Sequence, residues 1–534
     1  MTAATAPARP APPRARRLPP AAGPARLLGI ELRRSPMLWL LPVLAVLFYV
    51  STYRPAMGNP PFWNIRGGMI QSHTMLVFAP LLAGAGAWVG SRDGRRGLAD
   101  LVGMTAVPRW AGQVATWAAA TIWAELLYLA GVGVLYAVTA RQGAWGGPLW
   151  WPAAVGAATV AASCAVGFAA GARLPGRFTA GLAALVVFLA LAGGAFAIQD
   201  NATYAQIWPL NVQGPFPLDS YGIFYPYVSD LAIAQVMFLA GLGAAALGGL
   251  GLPAAAGGRW LRRAAAVVTA AGLAAAGTGV ALAGTARLEA HGMVIPALHD
   301  AASDRPTPYT PVCSHTAVPV CLQPAYRALL PYFTAAFGPT LSQLAGLPGA
   351  PVRVTQVAVT SVRADGSNGM GFGGPVISGR PPVLYLPLAG MTLPGEGDES
   401  AAEFIATLRQ QDGPWIMGIL VGLPGLVAAQ AGAEAGINGF VPEASSGRSA
   451  QMAVLDALIR ALGLAQPAPP PNARANQGGR SAPSGASQGS ASPARQELAA
   501  AKRFAALPAT ARHAWLMTHL VALRAGRISL SEVP

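Results

Sequence analysis

Residues 73–138 decide the fold, since they read HTMLVFAPLLAGAGAWVG (73–90), SRDGRRGLADLVGMTAVPRW (91–110) and AGQVATWAAATIWAELLYLAGVGVLYAV (111–138). Two long apolar runs therefore enclose one short basic loop. A helix needs about 20 apolar residues to cross the hydrocarbon core of a bilayer, which is about 30 Å thick. The two runs are predicted to be neighbouring membrane-spanning helices, and the loop is predicted to lie at one membrane surface.

Five further runs of the chain are long and apolar in the same way. The predicted spans lie at 37–53, 73–90, 111–138, 150–172, 178–198, 229–251 and 264–286. Over the whole chain, 53% of the residues are hydrophobic and 11% are charged, whereas an average soluble protein has roughly 25% charged residues. Lipid offers the backbone no hydrogen-bond partners, so each span must be helical. The predicted fold class is a mainly α-helical polytopic membrane protein with about seven transmembrane helices.

Arginine is distributed very unevenly between the two sides of these spans. If the N-terminus is cytoplasmic, sixteen arginines fall in the tail and inner loops, and only Arg54, Arg66 and Arg141 fall in the outer loops. The positive-inside rule then predicts a multi-pass protein of the plasma membrane with a cytoplasmic N-terminus and with everything after Arg287 outside. The net charge of +15 flanks apolar spans and does not form one basic domain, so nucleic acid is not an expected partner.

After Arg287 the composition becomes that of a soluble protein. Val352–Val362 and Pro381–Gly390 are predicted strands, and other stretches have helical periodicity. Residues 287–466 are therefore predicted to form an extracytoplasmic α/β domain. Pro414–Gln430 is uncharged and apolar over 17 residues. It is short for a span and interrupted by glycine and proline, so a buried core helix is favoured over a membrane crossing.

Three flanking segments complete the predicted organisation. Residues 1–26 are rich in Ala, Pro and Arg and are predicted to be a disordered cytoplasmic tail, ahead of a transmembrane domain over 27–286. Residues 467–494 read as a flexible linker, and residues 495–534 as a C-terminal helical segment with an apolar face. Leu27–Pro36 (LLGIELRRSP) is either a short helix in the inner membrane interface or only a basic flank of the first span.

Cys313 and Cys321 stand eight positions apart in the sequence CSHTAVPVC. A disulfide is the favoured interpretation, because the segment is predicted to lie in an oxidising compartment. A metal site with His315 and a pair of free thiols are the alternatives. A fourth metal ligand is not apparent, and the spacing differs from the usual zinc motifs.

Glu125 is a carboxylate inside the predicted third span. Such a group is costly in lipid unless it faces a cavity, is paired or is protonated. It is either part of a pore or coupling pathway, or a polar packing group near Trp123 or Tyr128. The chain contains no H-E-x-x-H, G-x-S-x-G or G-x-x-x-x-G-K-[ST] motif. The sequence therefore predicts neither an enzyme nor a cofactor or metal site in this chain.

The ELRRSP segment before the first span and SRDGRRGLADLVGMTAVPRW between the second and third resemble the membrane subunits of type-2 ABC exporters, over roughly residues 27–251. The resemblance implies a permease subunit whose loop docks on a cytoplasmic ABC ATPase, with Mg-ATP bound to that partner. The implied ATPase-docking residues are Arg92, Asp93, Arg95, Arg96, Leu98, Leu101, Pro108 and Arg109. The implied connecting helix carries Glu31, Arg33 and Arg34.

Such a subunit works as a pair, so the resemblance also implies a second permease chain, identical or paralogous. A seventh span and a large external domain depart from the simplest pattern of the family, and the sequence does not indicate the substrate. Two other classes stay open. One is a membrane sensor or assembly protein that does not transport and whose external domain binds a partner. The other is a membrane-anchored enzyme with an unrecognised active site.

Overall fold

The structure is a computed structural model, and it describes most but not all of the chain. The described residues are 22–59, 61–97, 108–199, 206–212, 223–253, 258–289, 292–357, 376–387, 401–421, 446–461 and 493–534. Within them the chain is mostly helical, with two small β-sheets in its C-terminal part.

The N-terminal half is built from helices. They are α1 (Ala22–Arg34), α2 (Met37–Phe48), α3 (Trp63–Gln71), α4 (His73–Gly90), the single turn α5 (Arg92–Arg95), α6 (Arg109–Arg141), α7 (Trp150–Arg173), α8 (Thr179–Gln199), α9 (Asp230–Gly251) and α10 (Gly258–Gly284). A π-helical turn, Tyr49–Tyr53, and a last turn, Arg54–Met57, extend α2. Helix α1 begins at Ala22, so residues 22–26, which their composition assigned to a disordered tail, are helical.

Six helical stretches of the described residues are long and apolar enough to cross a membrane. They are Met37–Met57, Trp63–Gly90, Arg109–Arg141, Trp150–Arg173, Asp230–Gly251 and Arg259–Gly284. The remaining predicted span, 178–198, coincides with α8, whose described apolar part, Thr179–Gly194, is shorter than a full crossing. A membrane-type helical architecture is therefore present, and a seventh crossing stays a prediction.

Helix α3 is the main departure from the predicted layout of the N-terminal half. The sequence placed residues 63–71 in an outer loop, but they form a helix that continues into α4 through Ser72. Every residue of α3 is buried. The ring of Trp63 packs edge-on against that of Tyr136, with 5.4 Å between ring centroids. This segment is too polar to be recognised as part of a span, and tertiary packing holds it in place.

Close contact between α4 and α7 depends on glycine. A Cβ atom on Gly167 would collide with the backbone oxygen of Ala83, and one on Gly171 would collide with that of Ala87. The same holds in reverse for two glycines of α4, Gly86 and Gly90. Small residues let membrane helices approach closely, where dispersion contacts and backbone complementarity stabilise the pair. The α4–α7 pair is therefore a rigid element of the bundle.

The C-terminal part contains a two-stranded hairpin and a five-stranded mixed sheet. The strands are β1 (Arg287–Glu289), β2 (Gly292–Val294), β3 (Val312–Cys313), β4 (Val320–Leu322), β5 (Arg353–Val357), β6 (Val376–Ser378) and β7 (Val383–Pro387). The larger sheet has the order β3-β4-β5-β7-β6, with β4, β5 and β7 parallel and the two edge strands antiparallel. The two strands predicted from alternating apolar residues are β5 and β7, which lie next to each other.

Five described helices share a hydrophobic core with this sheet. They are α11 (Leu330–Leu344), α12 (Ala401–Val421), α13 (Ser446–Ala461), α14 (Pro493–Ala506) and α15 (Ala509–Arg524). Three 3₁₀ turns accompany them, Ala301–Asp304, Pro324–Leu329 and Leu530–Glu532. Gln451 of α13 donates from Nε2 to the backbone oxygen of Leu523 at 2.8 Å, and Arg524 donates to that of Leu420. The C-terminal helices thus belong to the same core as α12 and α13.

The apolar segment 414–430 is described as far as Val421, where α12 ends. Ile416, Met417, Leu420 and Val421 are buried, in a core to which α11, α13 and α15 contribute. This arrangement matches the predicted core helix for the described part of the segment. Residues 422–445 and 462–492 lie outside the described residues, and the second of these ranges contains most of the predicted linker, 467–494.

Candidate functional site

Two elements that the sequence analysis predicted separately meet at one end of the helices. This basic end carries Arg33, Arg92, Arg109, Arg173 and Arg259. Arg92 Nη1 lies 3.4 Å from Glu31 Oε2 on α1, and Arg92 Nε lies 3.3 Å from Asp93 Oδ1. Desolvation opposes the charge of the guanidinium, but the two carboxylates outweigh it and raise the pKa of Arg92. An ion pair thus fastens α1 to the loop that follows α4.

The loop after α4 is fixed by local contacts as well. Ser91 is buried, and its hydroxyl donates to the backbone oxygen of Trp88 at 3.1 Å. The guanidinium of Arg95 lies over the Trp88 ring, 3.6 Å from the centroid, and Nη2 donates to the Trp88 oxygen at 3.0 Å. Gly97, with φ of +65°, has a backbone conformation that glycine adopts without strain. Arg92 and Arg95 are therefore held by the protein, whereas Arg96 is exposed.

The remaining predicted docking residues fall into two groups. Pro108 and Arg109 are exposed at the start of α6, at the same basic end as Arg92. Leu98 and Leu101 lie outside the described residues, so their predicted role as docking residues stays a prediction.

Helix α1 is attached to α6 through its last turn. The indole Nε1 of Trp123 donates to the backbone oxygen of Leu32 at 2.9 Å. This carbonyl belongs to the C-terminal turn of α1, where intrahelical donors run out. Arg33 and Arg34 of the same turn are exposed. The predicted connecting helix therefore presents two exposed arginines, Arg33 and Arg34, while its backbone is anchored to α6.

Glu125 lies within α6, and its Oε2 atom is buried without a hydrogen-bond partner among the described residues. The two polar neighbours that the sequence suggested are engaged elsewhere. Trp123 donates to Leu32, and the hydroxyl of Tyr128 donates to the backbone oxygen of Ala153 at 3.0 Å. Two other polar atoms of α6, Thr121 Oγ1 and Trp117 Nε1, are also buried without a partner among the described residues. Neither Trp123 nor Tyr128 therefore donates a hydrogen bond to this oxygen, and both interpretations of Glu125 stay predictions.

Cys313 and Cys321 form a disulfide, as predicted. They stand directly opposite each other on the antiparallel strands β3 and β4. His315 is exposed in the turn between these strands. Among the described residues, three or more His, Cys, Asp or Glu side chains do not come together in a way that could hold a metal ion.

A cluster of buried amides at the opposite end of the helices was missed by the sequence analysis. Gln71 Nε2 donates to the backbone oxygens of Pro209 and Asn211, at 3.0 and 2.7 Å. Gln235 Nε2 donates to the Asn211 oxygen at 2.7 Å and the Trp208 oxygen at 2.8 Å. The cluster fixes a buried stretch of chain, 206–212, between α3 and α9. The sequence indicates this cluster only by single glutamines, Gln71 just before the apolar run 73–90 and Gln235 within the run 229–251.

The C-terminal part contacts the bundle at the end opposite to Arg92. The ring of Phe62 lies 4.6 Å from that of Tyr326, centroid to centroid, and Gln323 Nε2 donates to the backbone oxygen of Ile223 at 3.3 Å. His299 is placed between Asp230, at the start of α9, and Asp304. The 18 residues of α4 separate the two ends by about 27 Å at 1.5 Å per residue. The basic loop and the C-terminal part therefore lie at opposite ends of the bundle.

Comparison of the chain with protein-family models, with curated proteins and with solved structures finds no significant match in any of the three.

Proposed function

We propose that this chain is the permease subunit of an ABC-type exporter, in which a separate ATPase subunit docks at the basic end. The contact between Glu31 and Arg92 carries the proposal. It joins the predicted connecting helix to the predicted docking loop, which are 61 residues apart in the sequence. Arg33 and Arg34 on that helix and Arg96 on that loop stay exposed. A surface whose backbone is anchored and whose arginines are exposed is complementary to an acidic cleft on a partner protein.

The orientation follows from the same charges. The basic end lies in the cytoplasm of a plasma-membrane protein, in agreement with the positive-inside rule. The C-terminal part then lies outside the cell, where an oxidising environment favours a stable disulfide such as Cys313–Cys321. The arginine distribution and the disulfide therefore support the same orientation, with the basic end inside and the C-terminal part outside.

Force would pass from the partner to the bundle through rigid elements. ATP binding on the partner draws two ATPase subunits together and moves the Arg92 loop. This loop is continuous with α4, which is locked to α7 by close glycine contacts. At the far end α4 continues into the buried helix α3, whose last residue, Gln71, holds the chain near Asn211. A displacement at the basic end is thus transmitted to the outer end, where a pathway would open.

The chain supplies no nucleotide-binding motif, so Mg-ATP belongs to the partner, and this subunit carries out no chemistry of its own. A second permease chain, identical or paralogous, completes the transporter. Glu125 is a candidate for the coupling pathway, because its buried Oε2 atom has no hydrogen-bond partner among the described residues.

A membrane sensor or assembly protein is the second candidate function. The extent of the C-terminal part favours it, because the sheet and five helices pack directly on the bundle through Tyr326, Gln323 and His299. In such a protein, binding of an external partner would be signalled to the basic end without transport.

Purification of the tagged full chain from its native membranes distinguishes these functions. For the permease, a polypeptide with a nucleotide-binding motif co-purifies and the complex hydrolyses ATP. The double variant Arg33→Glu and Arg96→Glu should then lower recovery of the ATPase at least about tenfold, as expected for close charge pairs at an interface. Arg141→Glu, an exposed arginine at the opposite end of α6, is the matched control and should have no effect.

The ion pair itself can be tested by exchange of its charges. Glu31→Arg alone should reduce ATPase recovery, and the combination of Glu31→Arg with Arg92→Glu should restore it. A chain that purifies without any ATPase, or an ATPase complex that the Arg33 and Arg96 changes leave intact, would contradict the proposed docking site.

A further inference from the structure

A large apolar groove opens in the side of the bundle next to the basic end. It has a volume of about 980 Å³. Helix α6 forms one wall from Pro108 to Ala118, and α9 forms the other from Leu239 to Leu247. Helix α7 supplies the floor, and Leu27 of α1 and Leu261 of α10 contribute at the basic end.

Small side chains create this groove. Its floor is made of Ala158, Ala161 and Ala162, and Gly243 lies on its α9 wall. Near the basic end the two walls are joined by Trp110, whose indole Nε1 donates to the backbone oxygen of Leu247 at 2.9 Å. This hydrogen bond therefore fixes the distance between the two walls at the basic end of the groove.

The length of the groove corresponds to one membrane leaflet. Its walls run over eleven residues from Pro108 to Ala118 and over nine residues from Leu239 to Leu247, and the ends of these stretches are about 15 and 12 Å apart at 1.5 Å per residue. Half of the hydrocarbon core of a bilayer measures about 15 Å. An acyl chain that enters from the leaflet at the basic end would therefore fill the groove from end to end.

The mouth of the groove is strongly positive. Its flanking residues are exposed arginines, namely Arg26, Arg109, Arg259, Arg262 and Arg263. Each stands within two residues of a residue that lines the groove. Within the described part of the chain, none of the five forms an ion pair with a carboxylate. A phosphate at the mouth would find several arginine donors at the level of the headgroups.

We propose that this groove binds an anionic diacyl phospholipid of the leaflet at the basic end, with an acyl chain between α6 and α9 and the phosphate among the arginines. The charges argue against a second copy of this chain as the occupant. A symmetric interface places the same patch opposite itself, so it would bring the two sets of arginines together. This inference does not require the proposed ATPase docking, with which it shares Arg109; the test therefore uses Arg262 and Arg263, which are not among the docking residues.

Native mass spectrometry of the full chain, purified in mild detergent and titrated with phosphatidylglycerol or phosphatidylcholine, tests the proposal. Phosphatidylglycerol should bind much more tightly than phosphatidylcholine. Arg262→Gln with Arg263→Gln should weaken phosphatidylglycerol binding by about twentyfold to thirtyfold, since each basic residue near an anionic lipid contributes about fivefold. Arg141→Gln, at the opposite end of α6, is the control, and Arg262→Lys with Arg263→Lys should retain most of the binding.

The acyl-chain site is tested separately. Ala240→Phe, on the α9 wall, should reduce binding of both lipids, whereas Ala137→Phe, on the exposed face of α6 outside the groove, should not. The monodispersity of each variant shows whether it is folded, and the two arginine doubles test the headgroup site if Ala240→Phe fails to fold. Equal binding of the two lipids, or unchanged phosphatidylglycerol binding in the Arg262 and Arg263 double variant, would overturn the proposal. So would a disulfide-linked dimer of the variant Ala240→Cys.

Discussion

His299 Nδ1 lies 3.1 Å from Asp230 Oδ2, and this contact ties the first segment of the C-terminal part to the start of α9. The other ring nitrogen, Nε2, lies 2.8 Å from Asp304 Oδ1. Asp230 also accepts a hydrogen bond from the backbone nitrogen of Ile295 at 2.9 Å. A protonated imidazole can donate to both carboxylates at once, whereas a neutral one can donate to only one. The protonation state of His299 therefore controls this junction.

The junction should weaken as the pH rises. Desolvation lowers the pKa of His299, but the contacts with Asp304 and Asp230 outweigh it and raise the pKa above its ordinary value of 6.5. A raised pKa means that the stabilisation is complete below about pH 6.5 and is lost as the pH rises through the folded-state value. The thermal midpoint of the solubilised chain should fall over this range. The slope should be absent in His299→Gln and kept in His315→Gln, which changes an exposed histidine. An identical slope in His299→Gln would rule out this role.

Gly167 should be intolerant of any side chain. A Cβ atom at this position meets the backbone of Ala83, which cannot move without displacing α4. We expect Gly167→Val to destabilise the bundle by about 2 kcal/mol or more, as overpacking of a close contact does, and to broaden its size-exclusion profile. Gly133→Val on α6 is the matched control, because a Cβ there meets nothing within 4 Å. Equal thermal midpoints for the two variants would show that α4 and α7 are not in close contact.

The Cys313–Cys321 disulfide should stabilise the C-terminal part and report its side of the membrane. A bridge that closes a loop of eight residues contributes about 2 to 3 kcal/mol by the loop-entropy relation. Reductant, or Cys313→Ser with Cys321→Ser, should lower the unfolding midpoint accordingly. In intact cells, a membrane-impermeant maleimide should label these thiols only after reduction. Buried Cys164, the one cysteine left in the double variant, gives the background, and labelling without reductant would contradict the bridge.

Removal of two polar side chains in the bundle should have opposite consequences. Glu125→Leu should leave the thermal midpoint unchanged or raise it, because a buried carboxyl oxygen without a partner costs desolvation energy. Gln235→Leu should lower the stability by about 1 to 3 kcal/mol, since it leaves the oxygens of Trp208 and Asn211 without its amide donor. If Glu125→Leu keeps the fold but uncouples ATP hydrolysis from transport, the carboxyl group serves coupling. A large loss of stability in Glu125→Leu would instead point to a structural partner.

Local sequence pattern predicted most described helices of the bundle and two of the three interior strands of the described sheet, β5 and β7. Apolar length fixes a membrane helix, because lipid leaves its backbone no other way to satisfy its hydrogen bonds. Likewise, β5 was recognisable from β-branched residues in near alternation, and β7 lies in the second candidate strand, 381–390. The Cys313–Cys321 bridge was predicted from the short spacing of the two cysteines and from the oxidising compartment assigned to this segment.

Long-range pairing accounts for what the sequence did not predict. The partner of Arg92 stands 61 residues earlier, and the two glutamines that meet in the amide cluster, Gln71 and Gln235, are 164 residues apart. Helix α3 is polar enough to read as a loop, yet it is buried because α6, α7 and the C-terminal part surround it. The arginine count predicted where charge collects but did not predict the groove, since a groove depends on which alanines of α7 face the gap between α6 and α9.

The way α14 and α15 pack has a practical consequence for how this polypeptide can be divided. Phe504, Leu516, Leu520 and Leu523 are buried in the same core as α12 and α13, although the chain reaches them through more than thirty intervening residues after Ala461. Covalent continuity through that segment only raises the local concentration of the two helices. The final forty or so residues are in effect an intramolecular ligand, and they could be supplied in trans as a separate peptide that restores the C-terminal core.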